Sequence, residues 1–414
     1  MDSLRVIADD LTGACDVGAE LLPWPGGVAV RPDPSGAPPE RGSLVVVNTQ
    51  SRTLAPSHAA ARVRAVLDGT VPPAWAGILL KKLDTGLRGP LGAELDAAMD
   101  AVGAAEAFVL PAIPEVGRTT EGGRQLIDGV PVHETAFARD PQNPVADASV
   151  AAVLAATGRR AVGVVDLAAV AAAGGVAAAV AAVRAAGAAV LVCDARSDDD
   201  LAHAVRALLG RPRPLVLAGS IGLARALRAA LGDVSPPAEE PAEPAGEEHS
   251  EADGRGVLVV VGSAHPTSRA QVAHALEAGL VEPLRVALDR PAVAGAKAQG
   301  RLAAGGAPLL LAPDDPATAG SAAVLAALRT AAVAALEGVR PRGLVLMGGE
   351  TAHAVLGGLG HPPLALRCRL APLAVASWIA AGPWAGVAVA TKGGSSGPPA
   401  LLADIVRRLG AGGS

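Results

Sequence analysis

Short runs of apolar residues alternate along this chain with longer stretches whose apolar positions recur at helical spacing. The short runs predict strands at residues 5–8, 44–48, 77–81, 107–110, 161–165, 188–193 and 215–218. A second series follows at 257–261, 284–287, 308–312, 343–347 and 386–390. Helical spacing between them is clearest at 56–67, 91–102, 268–278 and 317–336. Apolar strands alternating with helical stretches predict parallel sheets, because parallel strands need a crossover to return. The chain therefore reads as α/β, in two domains that each hold a mainly parallel sheet flanked by helices. The active site is expected in the interdomain cleft.

The break between the two series is compositional. Residues 235–254 read SPPAEEPAEPAGEEHSEADG, with four prolines, seven acids and no hydrophobic residue larger than alanine. Such a segment has no face to bury and serves as a linker or surface loop. It separates residues 1–234 from 255–414, and two domains also suit the length of the chain. Half of the residues are hydrophobic but only 1% are aromatic, so the cores must be built of Ala, Val and Leu. The most membrane-like run, 167–183, is rich in alanine with Gly-Gly in its middle, which suits a packing helix better than a span.

Charge and cysteine content narrow the function classes. A net charge of −5 leaves no electrostatic footprint for nucleic acid. The three cysteines, Cys15, Cys193 and Cys368, lie far apart and in no metal-ligand spacing, so free thiols in a reducing, cytoplasmic compartment are expected. The first residues show no signal-peptide apolar region. No strand leads into GxGxxG, which argues against a dinucleotide-dependent oxidoreductase, and GxxxxGK[ST] is absent, which excludes a P-loop NTPase.

An acidic protein that binds anions must gather its cations locally. After the first strand comes Asp9-Asp10-Leu11-Thr12-Gly13, two carboxylates that orient hydroxyls, take a proton or hold Mg²⁺, or that simply cap the next helix. After the third comes Lys81-Lys82-Leu83-Asp84-Thr85-Gly86-Leu87-Arg88-Gly89, either a solvated basic turn or a compact anion site able to clamp a carboxylate with Arg88 and one of the lysines; the two glycines beside the arginine favour close ligand approach. Pro111 to Thr135 is dense in proline and glycine and reads as a long shaped loop, with Arg118 and two threonines able to meet an oxygen-rich group.

The second half carries three strand-glycine-hydroxyl turns. These are Gly262-Ser263, Gly348-Gly349-Glu350-Thr351 and Lys392-Gly393-Gly394-Ser395-Ser396-Gly397. Turns of this kind let backbone N–H groups reach phosphates, and three of them in one domain point to a nucleotide.

In this order the clusters resemble the four-carbon acid sugar kinase family over nearly the whole chain. ADDLTGA-x-D resembles its N-terminal substrate motif, KKLDTGLRG its KKxDSTLRG segment, and PAIPEVGRTT its PAxPxxGRT loop. The resemblance implies an N-terminal domain for the sugar acid and a C-terminal domain for ATP, with transfer to the terminal hydroxyl. It implies Asp10, Asp84 and Arg88 as catalytic residues and Asp9, Thr12, Lys81, Lys82 and Arg118 as substrate ligands. It further implies Gly262, Ser263, Gly348, Gly349, Glu350, Thr351, Lys392, Gly393 and Gly394 around ATP, with Mg²⁺ and Glu350 as its candidate partner. A homodimer is left open, and a nucleic-acid or membrane partner is not expected. Three departures stand out: Thr85-Gly86 in place of Ser-Thr, a Lys392 turn without its serine and aromatic, and Leu370-Ala371-Pro372-Leu373-Ala374 in place of Pro-Gly-x-Pro. A kinase of a different small hydroxy-acid, or a non-catalytic nucleotide-binding relative, is the alternative.

Overall fold

The computed structural model describes residues 4–36, 43–72, 74–140, 142–232, 255–313 and 320–410. The acidic segment 235–254 lies outside the described residues. The rest packs as two compact units.

The first unit holds seven parallel strands in the order β3-β1-β4-β11-β5-β10-β9. They are β1 (Leu4–Ala8), β3 (Leu44–Asn48), β4 (Ile78–Lys82), β5 (Ala107–Leu110), β9 (Val162–Val165), β10 (Val190–Cys193) and β11 (Leu215–Gly219). From β1 the chain steps to β3 on one side and then to β4 on the other. That reversal opens a crevice at the carboxyl ends of the three strands, where ligands bind in open α/β sheets. Helices α1 (Leu11–Glu20), α2 (Pro56–Asp68) and α3 (Leu91–Val102) supply the first crossovers. Alternate strand residues Leu79, Val109, Val192 and Val216 enter one core with Leu95 and Met99 of α3. Gly103, in the left-handed region at φ 72°, ends α3.

Residues 111–135 correct the loop expectation. A small antiparallel sheet forms there from β6 (Arg118–Glu121), β7 (Arg124–Ile127) and β8 (Val130–Pro131). Its two turns are Gly122-Gly123 and Asp128-Gly129, with positive φ at all four residues. Two-residue turns of this hand match the strand twist, so Gly-Gly and Asp-Gly between polar strands were a hairpin signal. The alanine-rich run forms two helices, Leu167–Ala171 and Gly175–Ala185, parted at Gly174 with φ 70°. Among the described residues no helix is long and apolar enough to cross a membrane.

The second unit carries the strand order β13-β14-β12-β15-β18-β17-β16-β2. Its strands are β12 (Val257–Val261), β13 (Glu282–Arg285), β14 (Pro308–Leu311), β15 (Gly343–Met347), β16 (Leu364–Ala371), β17 (Ala374–Ile379) and β18 (Ala388–Lys392), with β2 (Val28–Arg31) at the end of the order. The five from β13 to β18 are parallel, and β18, β17, β16 and β2 pair antiparallel. The sequence reading kept all of 1–234 together. In the structure Gly26–Ser43 belongs to the second unit, because β2 pairs with β16.

Candidate functional site

Strand ends bring the first charged cluster together. β1 delivers Asp9 and Asp10, β4 delivers Lys82, Asp84 and Thr85, and the segment after β3 delivers Arg52. The Arg52 guanidinium grips Asp9 with two bonds (Nε to Oδ2 2.8 Å, Nη2 to Oδ1 3.0 Å) and reaches Asp10 Oδ1 at 2.7 Å. Its Nη1 lies 3.8 Å from Asp84. Arg52 is the residue that sequence reasoning missed. The signal was a polar run, Asn48-Thr49-Gln50-Ser51-Arg52, at the end of an apolar strand. Backbone bonds from Ser51 and Arg52 to the Asp9 carbonyl fix that segment against β1.

Asp10 is held by its own helix. Its Oδ1 accepts from the Gly13 amide at 2.9 Å and its Oδ2 from Thr12 Oγ1 at 2.7 Å, so it is the N-cap of α1 as well as a partner of Arg52. Gly13 is required by the crowding, since a methyl there would fall 2.5 Å from Asp10 Oδ1 and 3.6 Å from Lys82 Nζ.

The two lysines part ways because consecutive strand residues face opposite sides of a sheet. Lys81 is fully buried in an ion pair with Glu94 of α3 at 2.7 Å. Lys82 shares the side of Asp9, Asp10 and Asp84, donates to the Leu83 carbonyl, and among the described residues has no carboxylate at ion-pair distance. Burial lowers its affinity for a proton, and the three aspartates offset this only in part. Asp84 is bound by Arg88 through Nε (2.8 Å) and Nη2 (3.0 Å), while Arg88 Nη1 holds Asp140 at 2.9 Å. Burial alone would raise the Asp84 pKa, yet Arg88 and Arg52 hold it far below the ordinary carboxylate range. Asp9 is likewise lowered, burial being outweighed by Arg52. Arg118, from β6, meets Thr85 Oγ1, and burial, then Arg88, weaken its hold on its proton while Asp84 opposes them.

Phe137 lies under both arginines, its ring centre 5.1 Å from Arg88 and 5.7 Å from Arg118. It also explains Gly86: a methyl there would stand 2.4 Å from the ring. The position where the family pattern carries a hydroxyl residue is filled here by an aromatic face from another segment.

In the second unit the three glycine turns follow neighbouring parallel strands, β12, β15 and β18. They interlock closely. A methyl at Gly262 would lie 2.4 Å from Thr351 Oγ1, and one at Gly394 would lie 2.3 Å from Ser263 Oγ. Ser268 Oγ donates to the Gly394 carbonyl at 2.8 Å, and the Gly348 amide to the Lys392 carbonyl at 2.9 Å. Gln271 Nε2 ties the carbonyls of Ser396, Gly397 and Pro398 at 3.0–3.1 Å. Thus the turn that departs from the family pattern is anchored from two side chains of the helix Pro266–Glu277. Gly349, Glu350 and Thr351 open the helix Gly349–Gly358, whose N-terminus favours an anion. Lys392 is wholly buried at the end of β18, and Gly393 donates to the Leu373 carbonyl at 3.1 Å.

A sugar-binding N-terminal domain model matches residues 4–227, and a nucleotide-binding C-terminal domain model matches residues 258–402. The chain belongs to the four-carbon acid sugar kinase family. It is 34% identical to the D-threonate kinase of Salmonella typhimurium over 67% of this chain and 62% of that protein. It is 33% identical to the 3-oxo-tetronate kinase of Methylobacterium radiotolerans over 86% of this chain and 88% of that protein. A solved structure from Salmonella typhimurium LT2 matches 98% of this chain and 99% of its own with a TM-score of 0.76; at 22% identity that likeness concerns the fold.

Proposed function

We propose that the protein is an ATP-dependent kinase that phosphorylates the terminal hydroxyl of a four-carbon sugar acid of the erythronate, threonate or 3-oxo-tetronate type. The observation that carries this reading is the buried cluster of Arg52, Lys82, Arg88 and Arg118 among aspartates at the strand reversal of the first unit. Arg52 and Arg88 are committed to aspartates. Lys82 is not, and in it and Arg118 neighbouring aspartates do not offset the burial that disfavours the charge. An anionic carboxylate relieves that cost, so these two bind the acid. Lys81 supports the strand through Glu94.

Asp10 and Asp84 orient hydroxyls. Arginine neighbours make Asp84 a weak base, and Asp10 already accepts three bonds. Phosphoryl transfer through a loose transition state needs positioning and charge compensation more than early proton removal. In the second unit the glycine turns offer backbone N–H groups for the phosphates and Lys392 offsets charge on the leaving group. Glu350 would hold Mg²⁺, which a single carboxylate suffices to position beside phosphates and which neutralises charge there.

A coupled ADP-release screen over C3–C6 sugar acids and their keto forms tests the reading. Turnover is expected on a four-carbon acid. ATP binding with no turnover on any member would overturn it. Near-normal turnover in both Asp10→Asn and Asp84→Asn would overturn the assignment of the aspartates.

A further inference from the structure

A second constellation, within the second unit, uses none of the residues assigned to this chemistry. β2 and β16 pair antiparallel, Val30 with Leu364 and Ala29 with Ala365. Extending that register three residues past Val30 brings Asp33 opposite His361. His353, from the helix Gly349–Gly358, completes the group: its ring centre is 4.9 Å from that of His361, and its Nε2 is 3.8 Å from Asp33 Oδ2. One ring nitrogen of each histidine and one Asp33 oxygen all lie within 4.8 Å of one another.

The surroundings point these atoms inward. Ser35 binds Asp33 Oδ1 through its amide (2.9 Å) and its hydroxyl (2.5 Å), which leaves Oδ2 facing the histidines. His361 sits at φ 52°, a left-handed conformation that a non-glycine residue adopts at a cost. Two glycines make room for it. A methyl at Gly357 would fall 3.0 Å from His361 Cε1 and 3.2 Å from Nε2, and one at Gly36 would fall 3.0 Å from its carbonyl oxygen. The Nδ1 of His361 is shut from solvent and has no hydrogen-bond partner among the described residues.

We propose that Asp33, His353 and His361 form a binding site for a divalent transition cation of the zinc class. Imidazole nitrogens select such ions over Mg²⁺ or Ca²⁺, and two histidines with one carboxylate are a sufficient protein ligand set. Ligand bonds of about 2.1 Å put neighbouring ligand atoms roughly 3.4 Å apart, so the three side chains must draw in by about 1 Å. A fourth position stays open to water. The ion ties the segment after β2 to the helix that begins with Gly349-Glu350-Thr351, and so stabilises the folded second unit by mass action.

The test uses the untagged full chain, freed of metal and titrated with Co²⁺ as a spectroscopic probe in excess Mg²⁺. One equivalent of Co²⁺ is expected, with visible absorption of a low-coordinate site that Zn²⁺ displaces, and with a rise in melting temperature. His361→Asn keeps a residue that tolerates the left-handed backbone. It should weaken Co²⁺ binding at least about 10-fold, as should Asp33→Ala. The metal-free melting temperature of His361→Asn checks that the variant is folded. Absence of stoichiometric uptake overturns the proposal, as does unchanged uptake in the combined Asp33→Ala, His361→Asn chain.

Discussion

The two candidate sites are built from opposite materials. The cluster of the first unit is made of side-chain charge: four cations and four aspartates converge from the ends of β1, β3 and β4, the start of β6 and the turn at Asp140, and nearly every one is fixed by another. The turns of the second unit are made of backbone: glycines whose missing side chains let three turns touch. A charged cluster fails when one partner leaves its counter-ion buried, whereas a glycine cradle fails when a single methyl is added.

The largest effect should follow loss of Arg52. Arg52→Ala leaves Asp9 and Asp10 buried without their cation, costing roughly 3–5 kcal/mol of stability together with activity. Urea unfolding and turnover measure both. The pairing also predicts a pH dependence. Asp9 and Asp84 have folded pKa values below 3.8, so their stabilisation is fully present above that pH. It is lost as the pH falls through the folded values, and the acid limb should be shallower in Arg52→Ala.

Next in size, Lys82→Met removes a charge-assisted contact of about 1.5–3 kcal/mol, so KM for the acid should rise on the order of 10- to 100-fold. Thermal stability should be unchanged or higher, because the lost ammonium was buried against its preference. In contrast, Gly394→Ala places a methyl on Ser263. About 1–3 kcal/mol of overpacking should appear as weaker ATP binding by calorimetry, with the acid KM little altered. An acid-side defect in Gly394→Ala would erase the distinction between the sites. The smallest effect concerns Gly86 and Phe137. Gly86→Ser should destabilise, and Phe137→Ala should relieve it, with a coupling of about 1 kcal/mol in a double-mutant cycle by thermal melts.

The two sites were unequally legible in the sequence. Glycine turns announce themselves by composition, and the residues of all three lie at the ends of neighbouring strands. In the charged cluster Asp9, Asp10, Lys82, Asp84 and Arg88 were visible, but Arg52 was not, since its only local mark is the polar run 48–52 after an apolar strand and its aspartate partners lie more than 30 residues away. The difference between Lys81 and Lys82 needed only strand alternation. In the fold, the long parallel strands were readable from apolar runs. β16 went unread although Leu364, Leu366, Cys368 and Leu370 alternate with Ala365, Arg367 and Arg369 in the two-residue period of a half-buried strand; its pairing with β17 then shifts between Leu366 and Cys368 and between Arg369 and Ala371. β2 escaped because it is only four residues long, Val28–Arg31, and its pairing with β16 spans more than 330 residues, which no local window contains.

That distant pairing bears on how the protein can be taken apart. The acidic segment invites a cut, as though each half were a self-sufficient module. A fragment beginning at residue 255 would lack β2 and leave one side of β16 as a bare edge, able to recruit the same strand from other copies. The chain visits its second unit twice, so the halves cannot be exchanged between relatives as simple beads; a working C-terminal piece must carry its borrowed strand with it.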